Sequence, residues 1–256
     1  MWQEYFLYGV TRTLRSGNGT VFENIPVRID SDADFMFQKT TFVATNDRIK
    51  IKYKDDSIGR YLTKNYLDIK TVAGRNNLLP MGLSNSFIPF VWPRPYVISA
   101  GTNFIVEAAD NSGAANVLQL AFHGSKVRPG EAPWNRRFRA VVPFVYTFVE
   151  GSVTVAPNMT AVHRIEIDMD SHFAVQKITG IRSGEALVNI SEGGRDREWS
   201  NSSVHIDNLC GNGAFPNILP SNRFVQRGSV ISFTIQNLTA TANVIEICLV
   251  GTKLYE

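Results

Sequence analysis

Apolar residues recur at every second position along much of the chain. In VLQLAFHG, residues 117–124, Leu118, Leu120 and Phe122 share one face of an extended segment, and Ile245, Ile247 and Leu249 do the same in VIEICLVG, residues 244–251. Phe6 with Tyr8, and Phe144 with Tyr146 and Phe148, form two more such stripes. A strand half-buried against a core produces this period, because successive side chains point to opposite faces. Further strands are expected at 24–30, 35–44, 48–54 and 103–109, and again at 162–168, 173–181, 185–191 and 230–236. Turn formers separate them in RSGNG, DNSGAAN, SEGGRD and LCGNGAFPN. No window of useful length carries a 3.6-residue period. Short strands punctuated by turns predict an all-β fold of antiparallel sandwiches, jelly-roll-like in strand order.

The strands come in two sets. IDSDADFMFQK (29–39) and IDMDSHFAVQK (167–177) share I-D-x-D-x-x-F-x-x-Q-K. At the same displacement FLY (6–8) meets FVY (144–146), and RY (60–61) meets EW (198–199), which sets Tyr61 opposite Trp199. GTNFIVEAADNSGAANVLQLAFHGSK (101–126) lies over GSVISFTIQNLTATANVIEICLVGTK (228–253) without a gap, so that Gly124 and Lys126 recur as Gly251 and Lys253. LLP (78–80) answers ILP (218–220), with an additional stretch following it in the first copy. Matches in one order across both halves indicate two tandem related domains. The first spans 1–127, with an aromatic insertion at 81–96. The second spans 141–256, and a Pro/Arg linker at 128–140 joins them.

Asp30, Asp32 and Asp34 stand at alternate positions, as the first ligands of an EF-hand do. That loop also needs Gly at its sixth position and Glu at its twelfth, and here these are Phe35 and Thr41. The second copy offers Asp168, Asp170 and His172 instead. Both copies keep the phenylalanine and the Gln-Lys pair that follow, so a polar turn leading into a strand with an inward aromatic is expected, and no metal site is assigned.

Bulk properties narrow the field. The chain has 256 residues and a net charge of +3, too small to draw nucleic acid by bulk attraction, so no nucleic-acid partner is expected. No run approaches the roughly 18 apolar residues of a membrane span. The N-terminus lacks the basic start and continuous apolar core of a signal peptide, which predicts synthesis and assembly in a cytoplasm. Two cysteines there do not make a disulfide framework, and Cys248, at the place of Ala121 on a strand, is expected to be a small buried filler.

Candidate chemistry is sparse. There is no P-loop, G-x-G-x-x-G, G-x-S-x-G or H-E-x-x-H pattern. His123 aligns with Val250, His172 with Asp34 and His205 roughly with Leu67. No catalytic or cofactor-binding residue is assigned, and a non-enzymatic protein is expected. Two departures from the repeat suggest contacts instead. MGLSNSFIPFVWPRPY (81–96) carries Phe87, Phe90, Trp92 and Tyr96 among three prolines. Aromatics on such a stiffened loop can anchor a partner protein, and such a loop can equally fold back over its own edge strand. WNRRFR (134–139) presents Trp134, Arg136 and Arg137 to an acidic protein surface or nucleic acid, against the plainer reading of a solvated linker.

PFVYTF at the start of the second domain, then IDMDSHFAVQKITG, WSNSSVHIDNLCGNGAFPNILP and TANVIEICLVGTKL, resemble segments of a group of tailed-bacteriophage virion structural proteins of the capsid-decoration or neck-associated type. The similarity covers nearly all of the second domain and, through the repeat, most of the first. Its motifs belong to a fold and not to a reaction. The resemblance implies a virion protein without cofactor, assembled in the host bacterial cytoplasm, that docks on the capsid or head–tail neck. Capsid, portal or neck subunits are its implied partners, and a homo-oligomer in the particle is expected. Two other readings stay open. One is a tail-associated carbohydrate- or receptor-binding module that uses Trp92 or Trp199 as a sugar platform, and the other is a sandwich-fold hydrolase.

Overall fold

The computed structural model describes residues 1–16, 21–63, 65–74, 91–130, 138–193, 197–212 and 216–256. The first half runs β1 (Trp2–Leu14), β2 (Glu23–Arg28), β3 (Asp34–Ala44), β4 (Ile49–Asp55), β5 (Arg60–Tyr61), β6 (Leu67–Asp68), α1 (Ile69–Val72), β7 (Val91–Ile98), β8 (Asn103–Asp110) and β9 (Asn116–Arg128). The second runs β10 (Ala140–Thr147), β11 (Val153–Val155), β12 (Thr160–Glu166), β13 (His172–Arg182), β14 (Ala186–Glu192), β15 (Arg197–Glu198), β16 (Val204–His205), α2 (Ile206–Leu209), β17 (Asn217–Val225), β18 (Val230–Asn237) and β19 (Asn243–Tyr255). Apart from β11, the two lists match element for element.

The sheets match as well. The order β1-β9-β3-β7 faces β2-β8-β4-β5 in the first half, and β10-β19-β13-β17 faces β12-β18-β14-β15 in the second. All of these pairings are antiparallel, which is the jelly-roll order in each half. The predicted stripes point inward: Leu118, Leu120 and Phe122 lie in the first core, and Ile245, Ile247 and Leu249 in the second. The first core is aromatic, with Phe37, Tyr53, Phe104 and Phe122 in mutual contact at centroid distances of 5.6–6.4 Å. The second is built mainly of Val, Ile and Leu.

The repeated aspartates enter β3 and β13 from a polar turn, and the cation they hold is the chain's own. Lys126 Nζ lies 2.8 Å from Asp30 and 2.9 Å from Asp32, and Lys253 Nζ lies 2.5 Å from Asp168 and 3.4 Å from Asp170. Each ammonium also sits over an aromatic ring, Phe6 or Phe144, at 4.1 and 4.3 Å.

The repeated Gln-Lys pair has a geometric role. The register of β3 on β9 shifts between Phe37 and Lys39, and that of β13 on β19 between Val175 and Lys177. Strict alternation would carry Lys39 inward behind Phe35 and Phe37. The extra residue, Gln38 or Gln176, turns the lysine to the outer face. Opposite each bulge stands a glycine that admits no side chain. A Cβ on Gly124 would meet the Met36 carbonyl at 2.3 Å, and one on Gly251 would meet the Ala174 carbonyl at 2.0 Å.

The structure corrects three details of the sequence alignment. Residues 91–96, expected within an insertion, belong to β7, whose counterpart is β17, so Trp92 and Tyr96 stand on a sheet strand. Pro93 and Pro95 fall where the β3–β7 ladder is interrupted, and an edge strand tolerates proline there. In register Val91 matches Ile218, so the added residues precede the matching proline in the first half and do not follow it. Six residues separate Gly211 from Ile218, whereas sixteen separate Gly74 from Val91. Finally, Trp199 matches Leu62 and not Tyr61, since each donates its backbone N–H to the equivalent carbonyl, Ile190 or Tyr53. The turn after β3 is one residue longer than the turn after β13, which displaces the alignment by one.

Gly251→Ala should cost on the order of 2 kcal/mol or more, because the clash is with backbone and cannot relax by a rotamer change. Urea denaturation of the purified chain should show a correspondingly lower midpoint.

Candidate interaction surfaces

The outer face of the β1-β9-β3 sheet should be wet in a lone sandwich. Instead Tyr5, Leu7, Thr41, Ala121, His123 and Ser125 are fully buried there. The second half covers them with β17, α2 and residues 199–202. Tyr5, Leu7 and Ala121 accordingly pack with the second core and not with the first.

Polar groups line the same contact. Leu7 donates its N–H to the Trp199 carbonyl at 3.1 Å and accepts from Asn201 at 3.3 Å, so β1 gains a parallel bridge to the second half. Gly9 donates to Asn201 Oδ1 at 2.7 Å and has no room for a side chain, since a Cβ would lie 2.6 Å from Val204. Lys39 Nζ donates to Asn217 Oδ1 at 2.6 Å and to the Ile218 carbonyl at 2.8 Å. The His123 ring lies between Tyr5 Oη, at 3.2 Å, and Thr41 Oγ1, at 3.0 Å. Gln119 Oε1 accepts from His205 N–H and from Asn208 Nδ2, the latter at 3.2 Å. Ser125 meets Ser221 at 2.8 Å. A buried face of this kind is stable only where each polar group keeps a partner.

At one end of the seam the groups carry full charge. Glu4, almost wholly buried, faces Arg223 at 3.1 Å and Arg128 at 3.5 Å, and also pairs with Arg197. Arg223 donates to the Tyr5 carbonyl at 3.2 Å and lies over the Trp199 ring at 5.3 Å. Burial pushes its pKa down to about 10, against the opposing pull of Glu4. A cavity of about 620 Å³ opens beside this cluster, lined on the first half by Lys126, Arg128, Asp30 and Asp32 and on the second by Arg197 and Glu198. Burial also lowers the Lys39 ammonium to about 8. Burial, and then the nearby Lys39 charge, hold the His123 imidazole well below its usual 6.5.

On the same face of the second sandwich Phe138 packs on Ala174, Phe224 and Leu254, and among the described residues the rest is uncovered. Val145 stands where Leu7 stands, and it is 52% exposed against 0%. Lys177, Thr179, Cys248 and Val250 on this face are all partly exposed. Cys248 is therefore not the buried filler expected from Ala121, because Ala121 owes its burial to the other half.

Of the residues proposed from sequence, Trp92 and Tyr96 pack against the first core. Trp92 lies against Phe37 and Tyr53, and Tyr96 donates its hydroxyl to Asp55 at 2.8 Å. Phe87, Phe90, Trp134, Arg136 and Arg137 lie outside the described residues. Trp199, read as a sugar platform, is 1% exposed and belongs to the seam. Among the described residues no group of three or more His, Cys, Asp or Glu is placed to hold a metal ion, and no helix is long and apolar enough to cross a membrane.

No protein-family model and no curated protein matches the chain. Among solved structures it is similar to the major capsid protein P2 from bacteriophage PM2, at 13% identity over 95% of this chain and 97% of that one, with a TM-score of 0.26. It is also similar to the PBSX exported protein XepA, at 12% identity over 94% of this chain and 86% of that one, with a TM-score of 0.23. Likenesses at these scores carry no argument about what this chain does.

Two outcomes follow for the seam. Glu4→Gln keeps the shape but removes the charge between three arginines, and should cost about 3 kcal/mol in urea unfolding. The second concerns pH. Below 6.5 the unfolded chain protonates His123 while the folded chain does not, so stability falls as pH drops through that value. His123→Val, which installs the residue of the second half, should flatten the acid slope in a series of thermal melts.

Proposed function

We propose that the chain is a non-enzymatic structural component of a bacteriophage particle, docking on the capsid or head–tail neck to decorate or stabilise it. Its two halves, 1–127 and 141–256, are read as duplicated domains. The segments that resemble phage virion proteins form the frame of the second sandwich. PFVYTF lies largely on β10, IDMDSHFAVQKITG supplies the aspartate turn and the bulged β13, and TANVIEICLVGTKL is β19. The observation that carries the reading is the use made of buried charge: Glu4, Lys39 and Arg223 fix one sandwich against the other. Two sandwiches locked in this way form a stiff body, suited to docking on a symmetric shell or ring.

Density-gradient-purified particles from the phage system that encodes the chain provide the test. Mass spectrometry should find the chain at a fixed copy number, and imaging at chain-tracing resolution should place it on the capsid or neck. Absence from the particles overturns the proposal. Glycan-array binding that depends on Trp92 would move the assignment to a tail-associated carbohydrate- or receptor-binding module.

A further inference from the structure

The repeat gives each half two complementary surfaces, an outer sheet face and the end that covers it. Within the chain the face of the first half meets the end of the second, at the seam. Among the described residues, the face of the second half and the end of the first half are left over. On that face Val145, Lys177, Cys248 and Val250 stand where Leu7, Lys39, Ala121 and His123 stand in the seam. On that end Leu62 stands for Trp199 and Val91 for Ile218, and Val91 is 57% exposed.

We propose that the β10-β19-β13 face of one copy seats on the β5-α1-β7 end of a second copy, repeating between chains the contact that the seam makes within one. Three observations converge on this occupant. The first is Lys177. The bulge that turns Lys39 outward is kept in the second half, and it presents a lysine that has no hydrogen-bond or ion-pair partner among the described residues. Lys39 shows what such a lysine reaches, namely the Ile218 carbonyl of the covering strand. The matching acceptor for Lys177 is the Val91 carbonyl, available on another copy. The second is the strand edge. β10, like β1, ends its sheet. In the shared register Val145 turns its N–H and C=O away from β19, as Leu7 does from β9 to pair with residues 199–201. The third is composition. Where the seam buries Tyr5 and His123, the free face has Pro143 and Val250, an apolar version of the same surface.

The charged lock has no equivalent in this contact, because Val142 replaces Glu4 and Tyr96 replaces Arg223. The contact between chains is therefore the weaker of the two and depends on concentration. Face and end are different surfaces, so the association is head-to-tail, closing into a ring or extending as an open chain according to the rotation per step. It stands independently of the assignment to a phage particle.

Sedimentation velocity and native mass spectrometry of the full chain over a concentration series test this. The wild type should form multimers that grow with concentration. Val145→Asp and Lys177→Ala on the face, and Val91→Asp on the end, should each weaken association about tenfold or more. The mixture of Val145→Asp and Val91→Asp chains is the decisive arm. Each variant keeps one intact surface, so the two should pair into dimers that grow no further, which also shows that both are folded. A wild type that stays monomeric to millimolar concentration overturns the proposal, as do variants that assemble like the wild type or a mixture that fails to pair.

Discussion

Tyr5, Thr41, Gln119, His123 and Ser125 lie on what would be the solvent side of a sandwich sheet, and the second half removes water from all of them. A buried hydroxyl, amide or imidazole without a partner costs more than a typical hydrogen bond returns, so each group must be answered. His123 is answered by Tyr5 and Thr41 of its own half, and Thr41, Gln119 and Ser125 are answered across the boundary. Much of the remaining architecture follows from that demand. Gly9 is small because Val204 and Ser202 approach its backbone. Asn217 faces Lys39, and the Thr41 hydroxyl reaches the Asn208 carbonyl at 3.3 Å. Breaking such a contact uncovers Tyr5, Leu7 and Ala121 and leaves several polar groups unpaired at once. That favours an all-or-none union over a sliding one.

The two halves keep one backbone plan and give it different duties. Aspartate turn, clamping lysine, bulge and close-packed glycine are common to both, because each solves a problem internal to a single sandwich. The outer sheet faces differ. Pro143 stands for Tyr5, Cys248 for Ala121 and Val250 for His123, which tracks whether the position is covered by the same chain. Arg223 against Tyr96 shows the same division on the covering end. The arginine answers Glu4 across the seam in addition to Glu192 of its own half, while the tyrosine donates to Asp55, the match of Glu192.

Much of the fold was legible in the residue pattern. Alternation marked eight further strands besides the aromatic and aliphatic stripes, and the internal match paired them correctly, since both depend on local geometry and on the inside–outside contrast of one sandwich. β7 and β17 were missed because prolines and a broken ladder hide their period. The seam was illegible for a related reason. Lys39, His123 and Gln119 look like ordinary polar positions of a half-exposed strand, and Trp199 like an exposed aromatic, until a second body is laid on them. One trace was present: the Gln-Lys pair kept in both copies, whose meaning as a bulge needs the partner strand to be seen.

The sequence alone determined the strand content and the jelly-roll-like class, because these follow from side-chain alternation and turn chemistry along a few residues at a time. The tertiary structure decided which of two equivalent faces is buried, which lysine has a partner and which aromatic is lost from the surface. Those outcomes depend on contacts between residues roughly two hundred positions apart, as between Leu7 and Trp199. Hydrophobic periodicity reports one core at a time and is blind to a polar face covered by another module.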